Sequence, residues 1–109
     1  MPASVIYKAA ARAEIAEAFG TYESQRQGLG VEFLDELARI EGHLRANPAL
    51  YQQVDGNELG GDVRRAVLRR FPYGLFYVVD DGRVGTQVNV LACFHLHRDP
   101  RSRADLLAR

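Results

Sequence analysis

The spacing of apolar residues changes once along this chain, and that change limits what the chain can fold into. Between residues 9 and 46 apolar side chains recur at helical intervals; between residues 63 and 97 they alternate or run continuously. The two periods bury different faces and so specify different elements. Ile15, Ala18, Phe19 and Tyr22 fall at the i, i+3, i+4, i+7 spacing and predict a helix from about Ala9 to Arg26. Gly28-Leu29-Gly30 breaks that run. Phe33, Leu34, Leu37, Ile40 and Leu44 then share one face of a second helix, about Val31 to Ala46, which Asn47-Pro48 ends. A short link makes the two helices an antiparallel hairpin. Gly42 is either a small cost to the second helix or a point of close approach between the two.

The remaining segments read as strands and turns. Residues 4–8 form a short first strand, with Val5 and Tyr7 alternating against Ile6 and Lys8. Residues 49–62 form a loop anchored by Leu50, Tyr51 and Val54. Val63 to Phe71 is one strand-like run, Pro72-Tyr73-Gly74 a tight turn, and Leu75 to Val79 a continuously apolar, central strand. Asp80-Asp81-Gly82 is a hairpin signal. A last run extends from about Val84 to His97, with Val88, Val90, Ala92 and Phe94 alternating against Asn89, Leu91, Cys93 and His95. Gly85 marks a bulge or a late strand start. The order β-α-α-β-β-β predicts an α+β fold, a helical hairpin packed on an antiparallel meander. At 109 residues the chain suits one domain, 1–109.

Composition narrows the function classes. No stretch approaches the ~20 apolar residues of a membrane-spanning helix, and the first residues lack the basic flank and apolar run of a secretory signal. The one cysteine, Cys93, cannot form an intramolecular disulfide. A cytoplasmic protein is expected. The formal net charge is zero, but it is unevenly placed. Residues 1–62 carry five basic groups against ten acidic ones, and residues 63–109 carry nine arginines against four aspartates. Such asymmetry creates a local field that suits an interaction face.

Three constellations could carry function. Arg64, Arg65, Arg69 and Arg70 lie on one strand-like run; they form either a solvated face paired with the acidic helices or a basic surface for phosphate or an acidic partner. Cys93, His95 and His97 alternate strictly and so share one side of a strand, with Asp99 near its end. Zinc favours such donors, but one strand rarely closes a tetrahedron, so no metal is expected. His43, on the second helix, reads as a surface residue. His95 and His97, with Arg98-Asp99, offer a general base flanked by arginines, or simply an ion-paired start to the tail. There is no glycine-rich phosphate loop and no Gly-x-Ser-x-Gly, and Ser24 and Ser102 have no partner pattern.

Several of these stretches together resemble the RelE/ParE toxin superfamily. They are Phe33-Leu34-Asp35-Glu36-Leu37, Ile40, Leu44, Asn47-Pro48, Tyr51, the run from Arg65 to Val79 with Arg69-Arg70-Phe71-Pro72-Tyr73 inside it, and the ending His95-x-x-Arg98-Asp99-Pro100. The resemblance implies the same β-α-α-β-β-β order. It also implies the toxin of a type II toxin–antitoxin module, neutralised by a small antitoxin. The RelE-like branch cleaves mRNA on the ribosome with lysine, arginine and tyrosine residues; the ParE-like branch poisons DNA gyrase. Here the only lysine is Lys8 and no tyrosine follows Tyr77, so the ParE-like branch is the nearer one. On that branch no cofactor is expected, and Arg64, Arg65, Arg69, Arg70, His95, His97, Arg98 and Arg101 are the target-binding candidates. A ribonuclease would instead draw on Arg65, Arg69, His95, His97 and Arg98. The antitoxin is expected on the outer hairpin and the arginine face, at Phe19, Tyr22, Leu34, Leu37, Arg65, Arg69 and Phe71. A non-toxic binding domain of the same fold is the remaining alternative.

Overall fold

A computed structural model describes residues 3–54 and 63–97. Its elements follow the expected order: β1 (Ser4–Tyr7), α1 (Ala9–Gln25), α2 (Leu29–Ala46), β2 (Val63–Val67), β3 (Tyr73–Gly82) and β4 (Gly85–His95). The four strands make one mixed sheet in the order β1-β4-β3-β2. The last three form the antiparallel meander, while β1 pairs with β4 in parallel, Val5 opposite Val88 and Tyr7 opposite Val90.

The hairpin is set by local chemistry at its bend. Only Arg26, Gln27 and Gly28 separate the helices, and Gly28 takes a left-handed φ of 91°, which glycine adopts at no steric cost. The first N–H groups of a helix have no partner within it. Here Glu23, from the end of α1, accepts the N–H of Gly28 and of Gly30, each at 2.9 Å. Its negative charge also suits the positive end of the α2 dipole. The close approach between helices falls at Gly30, not Gly42. A Cβ at Gly30 would lie 2.7 Å from the Phe19 ring, whereas one at Gly42 would meet nothing within 4 Å.

The helices cover one face of the sheet. Phe33, Leu37, Ile40 and Leu44 of α2 are buried against Leu75, Tyr77, Val88 and Val90, and each such burial stabilises by about 1.5–3 kcal/mol. Leu34 departs from the expected face; it is 40% exposed. On the opposite face Val63, Phe76, Ala92 and Phe94 form a second buried cluster, with Phe76 and Phe94 stacked at 4.5 Å. Tyr51 and Val54 anchor the segment after α2 as expected, but Leu50 is 52% exposed.

Several strand boundaries differ from expectation. β2 stops at Val67, because the chain bends through 69–72, and β3 already begins at Tyr73. Asp80 and Asp81 are strand residues; the hairpin turn is Arg83-Val84, flanked by the pair Gly82 and Gly85, the latter at φ 120°. In β4 the register shifts across Leu91: Phe76 faces Ala92 and Tyr77 faces Val90, so β4 has one residue more than β3 there. That extra residue is a β-bulge, and it reverses which face the following side chains meet. Cys93 therefore joins Val88 and Val90 under the helices, and Ala92 and Phe94 go to the other side.

Candidate functional site

The four arginines of the 64–70 run do not form one face. Arg64 points back to the segment after α2, where its guanidinium donates to the carbonyls of Tyr51 at 2.7 Å and Ala49 at 3.3 Å. It holds that segment against β2. Arg65, one residue on, is exposed and lines a shallow polar hollow of about 280 Å³ with Tyr51, Gln52, Gln53 and Val67. The edge of β2 is itself covered there: Val54 donates to the Val63 carbonyl at 2.7 Å and Arg65 donates to that of Gln52 at 3.1 Å.

Arg69 and Arg70 lie in the bend after β2, and two glutamates of α2 hold that bend in place. Glu36 accepts both backbone N–H groups through Oε1, at 2.7 Å from Arg69 and 3.3 Å from Arg70, while its Oε2 takes Arg39 Nε at 2.8 Å. Glu32 receives Arg70 at 2.5 Å and Arg26 at 2.8 Å. The hydrogen bond from Arg39 is the main reason the Glu36 carboxyl ionises below the usual range, and for Glu32 the main reason is the one from Arg70. The Arg70 guanidinium also sits 5.6 Å from the Phe71 ring centre. Arg69 and Arg70 are thus presented from a rigid turn, both exposed.

Beneath that turn lies an aromatic cluster. Tyr22 and Phe71 meet at 4.8 Å, Phe33 and Phe71 at 5.4 Å, and Phe33 and Tyr73 at 5.3 Å. Of the residues expected to meet the antitoxin, Phe71 is 6% exposed and the half-buried Tyr22 packs against the same core.

At the end of β4, His95 packs on Tyr73 at 5.4 Å and its Nδ1 accepts the His97 N–H at 3.1 Å. His97 lies past the strand, in a turn, with its ring 5.8 Å from His95. Cys93 is fully buried, and burial first, then the nearby Glu14 carboxylate, pushes its thiol up to about 12. That thiol is a packing group. The expected alternation of Cys93, His95 and His97 along one strand fails because the strand ends at His95. Among the described residues no three His, Cys, Asp or Glu side chains gather where they could hold a metal ion. Arg98, Asp99, Pro100 and Arg101 lie outside the described residues.

The outer side of the hairpin carries a trough of about 460 Å³. Arg12, Ile15, Ala16 and Phe19 line it from α1, and Leu34, Leu37, Ala38 and Glu41 from α2, with Tyr7 of β1 at one end. Phe19, Leu34 and Leu37, expected as antitoxin contacts, are brought together here. Arg65 and Arg69 are not among its lining. The other lining residues were missed, although each helix contributes them at the i, i+3, i+4, i+7 spacing. A second stripe beside the core stripe was the available signal. At the Tyr7 end, the tyrosine hydroxyl donates to Glu41 Oε1 at 2.8 Å, and Arg45 donates to Oε2 at 3.0 Å. Partial burial works against ionisation of Glu41, but these two bonds outweigh it and hold the carboxyl below its usual range. Burial and the Glu41 bond together push the Tyr7 hydroxyl well above its ordinary value.

No helix among the described residues is long and apolar enough to cross a membrane. No protein-family model matches the chain, and no curated protein matches it. Among solved structures, the chain is similar to one from the "Chromosomal ParDE TA system from P. aeruginosa", at 16% identity and a TM-score of 0.69. The match covers 87% of this chain and 97% of that one. At that identity the likeness shows a shared fold, the helical hairpin on a four-stranded sheet.

Proposed function

We propose that this chain is the toxin of a type II toxin–antitoxin module, that it arrests growth by poisoning DNA gyrase, and that a cognate antitoxin neutralises it. The fold shared over 87% of the chain with a ParDE component carries the reading. The sequence resemblance, made on separate grounds, points the same way. The arginine turn supports a binding role over a chemical one. Arg69 and Arg70 are exposed on a turn fixed by Glu32 and Glu36, which suits contact with an acidic or phosphate-bearing surface. His95 already spends Nδ1 on the His97 N–H. With a single lysine and no tyrosine beyond Tyr77, the ribonuclease set is incomplete.

In this reading Arg65, Arg69 and Arg70 meet the target, with Arg98 and Arg101 as further contacts, and Arg64 has a structural role. The antitoxin covers the hairpin trough at Phe19, Leu34 and Leu37. No cofactor takes part. The test is a supercoiling assay with purified gyrase and the purified chain. Accumulation of linear DNA, released from trapped gyrase by detergent and protease, is the expected result. Undisturbed supercoiling at a molar excess of the chain would refute gyrase as the target.

A further inference from the structure

The edge of the sheet beside β2 gathers donors that nothing in the described residues meets. Gln53 and Arg64 form an antiparallel bridge, with the hydrogen bonds on either side of it, Val54 to Val63 and Arg65 to Gln52. In such a pair the edge residue turns its own N–H and C=O outward, and neither group of Gln53 has a partner among the described residues. The Gln52 and Gln53 carboxamides and the Arg65 guanidinium, all exposed, likewise make no hydrogen bond or ion pair there. With Tyr51 and Val67 they line the hollow of about 280 Å³. Arg69 follows soon after Arg65, and the intervening chain holds their Cα atoms within about 14 Å of each other. Its guanidinium has no partner among the described residues either. Glu36 takes the Arg69 backbone N–H and the Arg39 side chain, and Glu32 takes Arg70 and Arg26.

We propose that this edge binds the phosphate backbone of duplex DNA, with Arg65 and Arg69 each on a phosphate and the Gln53 N–H and the two carboxamides as further donors. The setting rests on the gyrase reading above, because gyrase holds a DNA duplex; the chain then grips enzyme-bound DNA as well as the enzyme. Phosphate oxygens accept from arginine, glutamine and backbone N–H groups alike. Successive phosphates of one strand lie only ~3.4 Å apart along the axis, so guanidiniums at this separation each find one. An acidic protein surface is the poorer match. Protein interfaces have an apolar or aromatic centre, and Val67 is the one exposed apolar side chain lining the hollow. A peptide strand would meet a single outward-facing residue, Gln53, where strands commonly run for about 3–10 residues. Single-stranded nucleic acid needs exposed rings to stack its bases. Tyr51 is half-buried, with its hydroxyl 3.2 Å from His43 Nδ1. Duplex phosphate asks for neither.

The test is a titration of the purified, isotope-labelled full chain with a short mixed-sequence DNA duplex, followed by NMR. The Gln53 N–H, the Gln52 and Gln53 side-chain amides and the Nε–H groups of Arg65 and Arg69 are expected to shift together and saturate. With two phosphates neutralised, log K is expected to fall against log salt with a slope near −2, or about tenfold weaker binding at 200 mM than at 50 mM salt. Arg65→Gln and Arg69→Gln are each expected to halve that slope, so that the same change in salt weakens binding only about three- to fourfold. Arg83→Gln, exposed at the far turn between β3 and β4, is expected to leave it unchanged. Absence of shifts at millimolar duplex, shifts confined to other arginines, or a slope indifferent to both variants would overturn the proposal. So would tighter binding of a polyglutamate peptide of equal charge, which assigns the edge to an acidic protein. Gyrase supercoiling is assayed separately: DNA binding with undisturbed supercoiling removes only the gyrase reading, and poisoning without DNA binding removes only this one.

Discussion

The carboxylate of Glu14, in the first helix, accepts the backbone N–H of Cys93 at 3.0 Å, 79 positions along the chain. The reason lies in strand length. β1 has four residues and its pairing with β4 ends at Tyr7 and Val90, so among the described residues no strand flanks the following stretch of β4 on that side. Glu14 supplies the missing acceptor from above the sheet. A buried N–H without a partner costs about 1–3 kcal/mol. Glu14→Ala is expected to lower the unfolding free energy by about that much, and Glu14→Gln, which keeps a carbonyl acceptor, by less. Urea unfolding of the three proteins measures the difference.

The two glycines of α2 predict opposite signs. Gly30→Ala drives a methyl into the Phe19 ring and the Glu23 carboxylate, and is expected to destabilise by about 1–3 kcal/mol. Gly42→Ala enters open space in an exposed helical position and is expected to stabilise by about 0.5–1 kcal/mol. Thermal melts followed by circular dichroism separate them.

Acid sensitivity follows from Glu32 and Glu36. Both carboxyls ionise below the ordinary value of 4.5 in the folded chain. A group whose folded pKa is depressed contributes its full stabilisation above its unfolded pKa and loses it as pH falls through the folded one. Stability is therefore expected to hold from pH 7 to about 5 and to fall progressively below 4.5. In Glu36→Gln, which starts from a lower stability at pH 7, the decline should be shallower. Urea midpoints between pH 7 and pH 3 report the slope.

Neighbouring arginines should part by role. Arg64→Ala removes the donors to the Tyr51 and Ala49 carbonyls and is expected to cost about 1 kcal/mol of stability. Arg65→Ala and Arg69→Ala, on exposed side chains, are expected to leave the unfolding midpoint within about 0.5 kcal/mol of wild type while weakening growth arrest. Unfolding curves and induced growth of the same variants decide it. A large stability loss in Arg69→Ala would contradict its assignment to the binding surface.

The elements that could be read from the sequence are those whose signal is local. The core stripe of α2, the Asn47-Pro48 stop and the apolar run of β3 each declare themselves within a few residues. What escaped depends on contacts distant in the chain. The bulge at Leu91 looks like unbroken alternation until β3 is laid beside it. Arg69 and Arg70 read as strand residues because the glutamates that pull them out of the strand sit more than 30 positions earlier. Leu34 reads as core because one helix face was counted where two exist, one toward the sheet and one lining the trough. Even the turn at Arg83-Val84 was misplaced by two residues, since Asp80-Asp81-Gly82 carries stronger turn chemistry than the pair that actually reverses the chain.

The central claim is that this fold arrests growth through DNA gyrase, and pulse-labelling of DNA, RNA and protein synthesis just after induction in bacterial cells tests it most directly. An early fall in DNA synthesis, with strand breaks trapped on gyrase while translation continues, is the predicted result. An early fall in translation with cleaved mRNA would contradict it and turn attention to His95, His97 and the arginines as chemistry, and continued growth would contradict it outright.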